Sequence, residues 1–220
     1  MNDGVPETAS DEELLQRHLR GEPAAFAGLV ERYTPELFRF LMRFLGRRAM
    51  AEDVMQETFL QVHVSAADFD AGRRVKPWLF TIAANKARDS LRSRNRRREV
   101  SADPPVTNGS SESFPSAFEL AAGDDELPGA ELARREDAER VRDVVMSLPE
   151  HLREVLIMGY FHRFPYREMA DILQVPIGTI KSRLHAAVMQ FGAAYRRLAP
   201  AAAPAMTTGS VFKKGVRKES

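Results

Sequence analysis

Thr179, Lys181, Ser182, Arg183 and His185 crowd into one short stretch near the C-terminus, Ile177-Gly178-Thr179-Ile180-Lys181-Ser182-Arg183-Leu184-His185. They offer hydroxyls, two cations and an imidazole, with no carboxylate among them. That set suits recognition of a polyanion: cations meet phosphates, and cations and hydroxyls also meet base edges. A second such set lies upstream. Residues 71–100 hold ten basic residues against Asp89 and Glu99, a net charge of +8. No Walker loop, metal-ligand cluster or nucleophile–base pair is present in the sequence. Binding is therefore expected rather than catalysis, and neither cofactor nor metal is expected.

Two helical frames must hold these groups. In Tyr166-Arg-Glu-Met-Ala-Asp-Ile-Leu173 the apolar residues Met169, Ala170 and Leu173 predict a short helix with one inner face. Gln174-Val175-Pro176 breaks it, since proline cannot continue a helix. Ile177, Ile180, Leu184, Val188 and Phe191 recur at helical spacing and predict a second helix buried along that line. The polar residues then stand mostly outside, as in a helix-turn-helix whose second helix enters the major groove. Upstream, Leu79, Ala83, Ala87 and Leu91 predict the packed side of another helix. Thr81, Asn85, Arg88 and Arg92 share its opposite side. Arginine supplies phosphate contacts, and asparagine can hydrogen-bond a base edge.

Strand signals are nearly absent, and helical periodicity recurs along the chain. Ser10 and Glu13 have the spacing of a capping box before Leu14 and Leu15. Pro23 suits the first turn of the next helix, which runs apolar from Phe26 to Leu45 and stops near Gly46; Pro35 implies a kink or break inside it. A third helix is expected over about 50–65, with Val54, Met55, Thr58, Phe59 and Val62 inward. A loop over 66–76 leads to a fourth helix over about 78–97. Residues 101–131 then hold seven acids and no base, among prolines and glycines, which reads as a flexible linker. Helices resume to about Leu198, and a basic tail follows. The expected fold is all-α: two small helical domains joined by a flexible acidic linker, the C-terminal one containing the helix-turn-helix. The boundaries are 11–98, a linker 99–130, 131–198 and a disordered basic tail 199–220. Cysteine is absent, the N-terminus is no secretory signal, and no apolar run approaches the ~20 residues that span a bilayer. A soluble, cytoplasmic protein without membrane insertion is expected.

Four blocks in order resemble the sigma-70 family, in its two-domain extracytoplasmic-function (ECF) form: A-E-D-V-M-Q-E-T-F-L (51–60), K-P-W-L-F-T-I-A-A-N-K-A-R-D-S-L-R (76–92), S-L-P-E-H-L-R-E-V-L (147–156) and Y-R-E-M-A-D-I-L-Q-V-P-I-G-T-I-K-S-R-L-H-A-A (166–187). The resemblance implies a sigma factor that binds core RNA polymerase and directs promoter recognition, DNA opening and transcription initiation, with no bond chemistry of its own. It places Asp53, Gln56, Glu57, Phe59 and Leu60 on the β′ clamp coiled coil. It places Asn85, Lys86, Arg88 and Arg92 on the −10 element, with the loop over 66–75 beside a flipped base. It places Thr179, Lys181, Ser182, Arg183 and His185 on the −35 element. Promoter DNA, the β flap and an anti-sigma factor are the further partners implied.

The alternative is a helix-turn-helix regulator that does not dock on polymerase, and the 51–60 block discriminates, because such a regulator has no use for it. The chain departs from common family patterns at His63 (often tryptophan), Ala186 (often basic) and Gln174 (often glycine). A glutamine at the turn is strained if that position requires positive φ.

Overall fold

The computed structural model describes the backbone of residues 9–100 and 128–198, and the side chains of 9–97 and 136–198. The linker and tail expected from the sequence fall largely or wholly outside these residues. All regular structure described is helical: α1 (Asp11–Leu19), α2 (Pro23–Leu45), α3 (Arg48–Ser65), α4 (Val75–Val100), α5 (Pro128–Ser147), α6 (Glu150–Leu156), α7 (Tyr166–Leu173) and α8 (Ile177–Leu198), with a 3₁₀ turn at Ala66–Asp68 and a π-helical turn at Ile157–Phe161. The chain divides into two compact units, one of residues 1–97 with 170–174 and the other of residues 98–169 with 175–220.

In the N-terminal unit, α1 starts where its cap predicts: the Ser10 Oγ accepts from the Glu13 N–H at 3.1 Å. The acids of its first turn also reach other elements. Asp11 accepts from the Tyr33 hydroxyl and from Arg32 Nη1, the latter at 2.6 Å. Glu12 Oε1 accepts from the Val75 N–H at 3.0 Å. A helix start leaves unpaired N–H groups and a partial positive charge, so a carboxylate there satisfies both. Lys76 adds an ion pair to Glu36 of α2 at 2.8 Å. Two earlier helices thus hold the first turn of α4.

Apolar packing supplies most of the stability. Leu14, Leu15, Leu29, Leu37, Phe40, Leu41, Phe44 and Phe80 are fully buried. Phe40 stacks on Phe44 at 6.0 Å and meets the edge of Phe80 at 5.4 Å. Of the kink or break expected at Pro35, the break does not occur: α2 continues through it as one helix. Interior proline costs roughly 3 kcal/mol, and the buried residues on either side, Tyr33 and Leu37 among them, offset that cost. Gly46 ends α2 at φ +70°, its N–H bonded to the Met42 carbonyl. In α3 the buried line is Ala51, Val54, Thr58, Phe59 and Val62, while Met55, expected inward, is half-buried. The Thr58 hydroxyl donates to the Val54 carbonyl at 2.7 Å, so its burial leaves that donor satisfied.

In the C-terminal unit, every residue from Leu152 to Gly159 is buried. Arg153 is among them, and its Nη2 donates to the Leu148 carbonyl at 3.1 Å. The π-helical turn is closed by the His162 N–H to the Ile157 carbonyl at 3.3 Å. It sets Gly159 against α8: a Cβ there would lie 3.6 Å from both Leu184 methyl carbons and 3.7 Å from Met169 Cε. Met169, Ile172 and Leu173 of α7 are buried and Ala170 is half-buried. In α8 the buried line is Ile180, Leu184, Ala187 and Gly192. Ile177, expected to begin that line, is instead 45% exposed. Helical side chains lean toward the N-terminus, so at the first residue of α8 the side chain overhangs the turn.

The turn between α7 and α8 does require positive φ. Gln174 sits at φ +54°, and its Nε2 donates to the Asp171 carbonyl at 2.5 Å. The left-handed conformation costs an L-residue about 1–2 kcal/mol relative to glycine. Gln174→Gly removes that strain but loses the side-chain bond and loosens the unfolded chain. The expected net effect is a stabilisation of up to about 1 kcal/mol, a rise of a few degrees in thermal midpoint by circular dichroism. A fall would show that the bond to Asp171 outweighs the strain.

Candidate nucleic-acid and partner interfaces

Burial of one side of α3 leaves an outer line of Asp53, Gln56, Glu57 and Leu60, all exposed. Leu60 is 65% exposed, and Val64, one turn further on, is 67% exposed. An acidic, hydrogen-bonding end thus grades into an apolar end on one face, a surface suited to a partner helix. Phe59 of the same sequence block points the other way and is only 9% exposed; it anchors the helix from inside. Val64 was missed from the sequence, although its spacing from Leu60 was a readable signal. At the foot of α3, His63 packs with His18 and Phe26, ring centroids 4.9 and 5.2 Å away. His63 thus belongs to a cluster of three rings at that end of the helix.

On α4, Asn85 and Arg92 are exposed and Arg88 is half-buried, opposite the buried Leu79, Ala83, Ala87 and Leu91. Arg88 Nη2 donates to Asn85 Oδ1 at 2.6 Å while its Nε donates to the Ala84 carbonyl at 3.2 Å. The bond fixes the amide plane of Asn85 and leaves its NH₂ group to donate outward. Arg92 lies 3.5 Å from Asp89, an exposed pair worth little and readily exchanged for a phosphate. Lys86 does not join the stripe. It is half-buried and reaches α3, its Nζ 3.5 Å from Glu57 Oε2, so it links two of the predicted surfaces. The loop before α4 is organised by Asp70, whose Oδ1 accepts from the Gly72 N–H at 2.9 Å. Phe69 packs on Trp78 at 4.7 Å, and Arg73 and Arg74 are exposed.

On α8, Lys181, Ser182 and His185 are exposed, and Thr179 and Arg183 are half-buried. Lys181, Ser182 and His185 stand clear of the buried line of Ile180, Leu184 and Ala187, whereas Thr179 and Arg183 lie nearer to it. The Ser182 hydroxyl donates to the Thr179 carbonyl at 3.1 Å. Lys181 and His185 also border a groove of 280 Å³ walled by Tyr160, Tyr166, Leu184 and Val188. Among the described residues no cluster of three histidines or carboxylates could hold a metal ion, and no helix is long and apolar enough to cross a membrane.

A helix-turn-helix bearing cations, together with a helical unit bearing an arginine–asparagine stripe, defines a DNA-binding protein of the all-helical class. Comparison with known proteins narrows the class. The Sigma-70 region 2 family model matches residues 29–97, and the Sigma-70, region 4 model matches residues 138–191. The chain is 32% identical to the RNA polymerase sigma-H factor of Pseudomonas aeruginosa over 174 residues, covering 79% of this chain and 88% of that protein. It is 33% identical to the RNA polymerase sigma factor CarQ of Myxococcus xanthus over 172 residues, covering 78% and 89%. Among solved structures, CnrH in complex with the cytosolic domain of CnrY superposes with a TM-score of 0.63 at 22% identity, over 87% of this chain and all of that one, which supports the fold. The chain belongs to the sigma-70 family, in its extracytoplasmic-function branch. It is an RNA polymerase sigma factor: a non-catalytic subunit that acts with the core enzyme in promoter recognition and transcription initiation.

The histidine cluster makes this unit sensitive to acid. Burial, and next the neighbouring His63, hold the His18 pKa below its ordinary 6.5. The unfolded chain therefore takes up this proton first as pH falls, and stability is lost as pH drops from 6.5 through the lower native value. Denaturant melts at pH 7.5 and 5.5 should show a smaller stability difference for His18→Leu than for the parent; an unchanged difference would show that His18 contributes none of it.

Proposed function

We propose that α3 is the core-polymerase docking helix and that its contact residues are Asp53, Gln56, Glu57 and Leu60, extended by Val64. One observation carries this reading: two large apolar side chains stand about two-thirds exposed on the line that bears these polar groups. Exposed apolar residues aligned on one helix face suit a partner groove. The partner surface is the β′ clamp coiled coil. Phe59 serves from within, holding the helix to its core.

In the same reading, residues 11–98 form the region 2 domain and engage the −10 element through Asn85, Arg88 and Arg92. Lys86 supports that surface from its position beside Glu57 and reaches DNA only on leaving it. Residues 131–198 form the region 4 domain, which meets the β flap and reads the −35 element through Thr179, Lys181, Ser182, Arg183 and His185. Residues 99–130 connect the two along the chain. An anti-sigma factor is a further partner. In support, the sigma factor RpoE of Bartonella quintana, a structure 23% identical to this chain, was solved in complex with the anti-sigma factor NepR. Work at the promoter with core polymerase places the protein in the cytoplasm.

Leu60→Glu and Val64→Glu should each weaken association with core polymerase tenfold or more, as substitution of interface anchors does, without unfolding the domain, since both residues are exposed. Competition for core enzyme against a labelled reference sigma factor measures this. Unchanged affinity in both variants would remove α3 from the interface. On α8, Lys181→Ala with Arg183→Ala should cost ~1–3 kcal/mol of −35 discrimination if either makes a bidentate base contact. If both touch only phosphate, all sequences should weaken alike and the salt slope should fall by about one per residue. Fluorescence anisotropy over a salt series separates the two outcomes.

A further inference from the structure

The exposed polar side chains of α8 serve one kind of base-edge group poorly. In the major groove, the apolar group displayed at a base edge is the C5-methyl of thymine. Lys181, Ser182, Arg183 and His185 offer donors and acceptors, and none of them reads a methyl well; Thr179 has a methyl that could, but its side chain is half-buried, while Ile177 is exposed. Ile177 is the first residue of α8 and stands 45% exposed, while Ile180, Leu184 and Ala187 occupy the buried line. The adjacent Gly178 opens onto free space, with nothing within 4 Å of where a Cβ would stand. Pro176 before it is exposed, and its carbonyl accepts from the Thr179 and Ile180 N–H groups at 2.8 and 3.2 Å. The first turn of α8 is thus a fixed knuckle carrying one branched apolar side chain next to a residue with no side chain. Recognition helices contact base edges through their N-terminal turns, and this knuckle lies there.

We infer that Ile177 is a specificity residue that packs on a thymine methyl at the end of the −35 element facing the start of α8, with Gly178 admitting the DNA backbone beside it. The inference rests on the proposal that α8 reads the −35 element. It explains why a β-branched apolar residue occupies an exposed first turn, where a polar residue would be better solvated.

The test uses core polymerase with the full-length chain. Promoters are selected from a pool randomised across the −35 element. Each thymine of the selected element is then replaced singly by deoxyuridine, which deletes only the methyl group. One replacement should weaken promoter binding about fourfold, the factor for burying one methyl group. Ile177→Ala should be insensitive at that position, and Ile177→Val, which keeps a γ-methyl, should retain the sensitivity. The inference is overturned by a selected element without thymine, by no sensitive position, or by equal sensitivity of the parent and Ile177→Ala everywhere. Equal sensitivity is also the result expected if Ile177 instead faces a protein partner. If Lys181→Ala with Arg183→Ala selects the same element with the same affinity, the −35 reading itself fails and takes this inference with it. A failure confined to Ile177 leaves that reading intact.

Discussion

The first turn of α4 is held by carboxylates contributed by two earlier helices, Glu12 at its backbone and Glu36 at Lys76. The bearing of Asn85, Arg88 and Arg92 depends on where that turn sits, because a helix is stiff and its rotation at the start fixes the direction of its side chains. The energy comes mainly from Phe40 against Phe80 and the leucines around them; partly exposed ion pairs contribute at most about 1 kcal/mol. The carboxylates contribute direction. A buried aromatic contact tolerates small rotations, whereas a hydrogen bond from Glu12 to the Val75 N–H does not.

The C-terminal unit solves the same problem with backbone geometry. Gln174 accepts a left-handed conformation, Pro176 closes the turn, and the π-helical turn brings Gly159 against Leu184. These three features set the angle at which α8 leaves its support. With Ile180, Leu184 and Ala187 turned inward, Lys181, Ser182 and His185 are left exposed. Ordinary lysine, arginine, serine and asparagine become selective when their orientation is fixed before the nucleic acid arrives.

Several features were legible because their causes are local. The Ser10 cap, the stop at Gly46 and the opposed faces of α4 each follow from a few neighbouring residues, and the structure has them. The strain at Gln174 was also readable, as a missing glycine. Others were not legible. Pro35 reads as a breaker, yet burial on both sides carries α2 through it. Phe59 belongs to the docking block by motif and to the core by packing. Lys86 reads as a cation beside the DNA stripe, but its partner, Glu57, lies on another helix. Ile177 opens an apolar period whose buried part begins one turn later, at Ile180, than its spacing suggests.

Sequence alone determined the helical class, the segregated charge, the order of the motifs and the identity of most polar residues on offer. Those properties rest on side-chain chemistry and short-range periodicity, which survive without a fold. Tertiary structure decided which of these residues face outward and which are spoken for. It joined Glu12 to Val75, set Lys86 against Glu57, turned Phe59 inward and left Leu60, Val64 and Ile177 uncovered. The reason is physical: exposure and pairing depend on neighbours distant in the chain, and no local period encodes which neighbour will arrive.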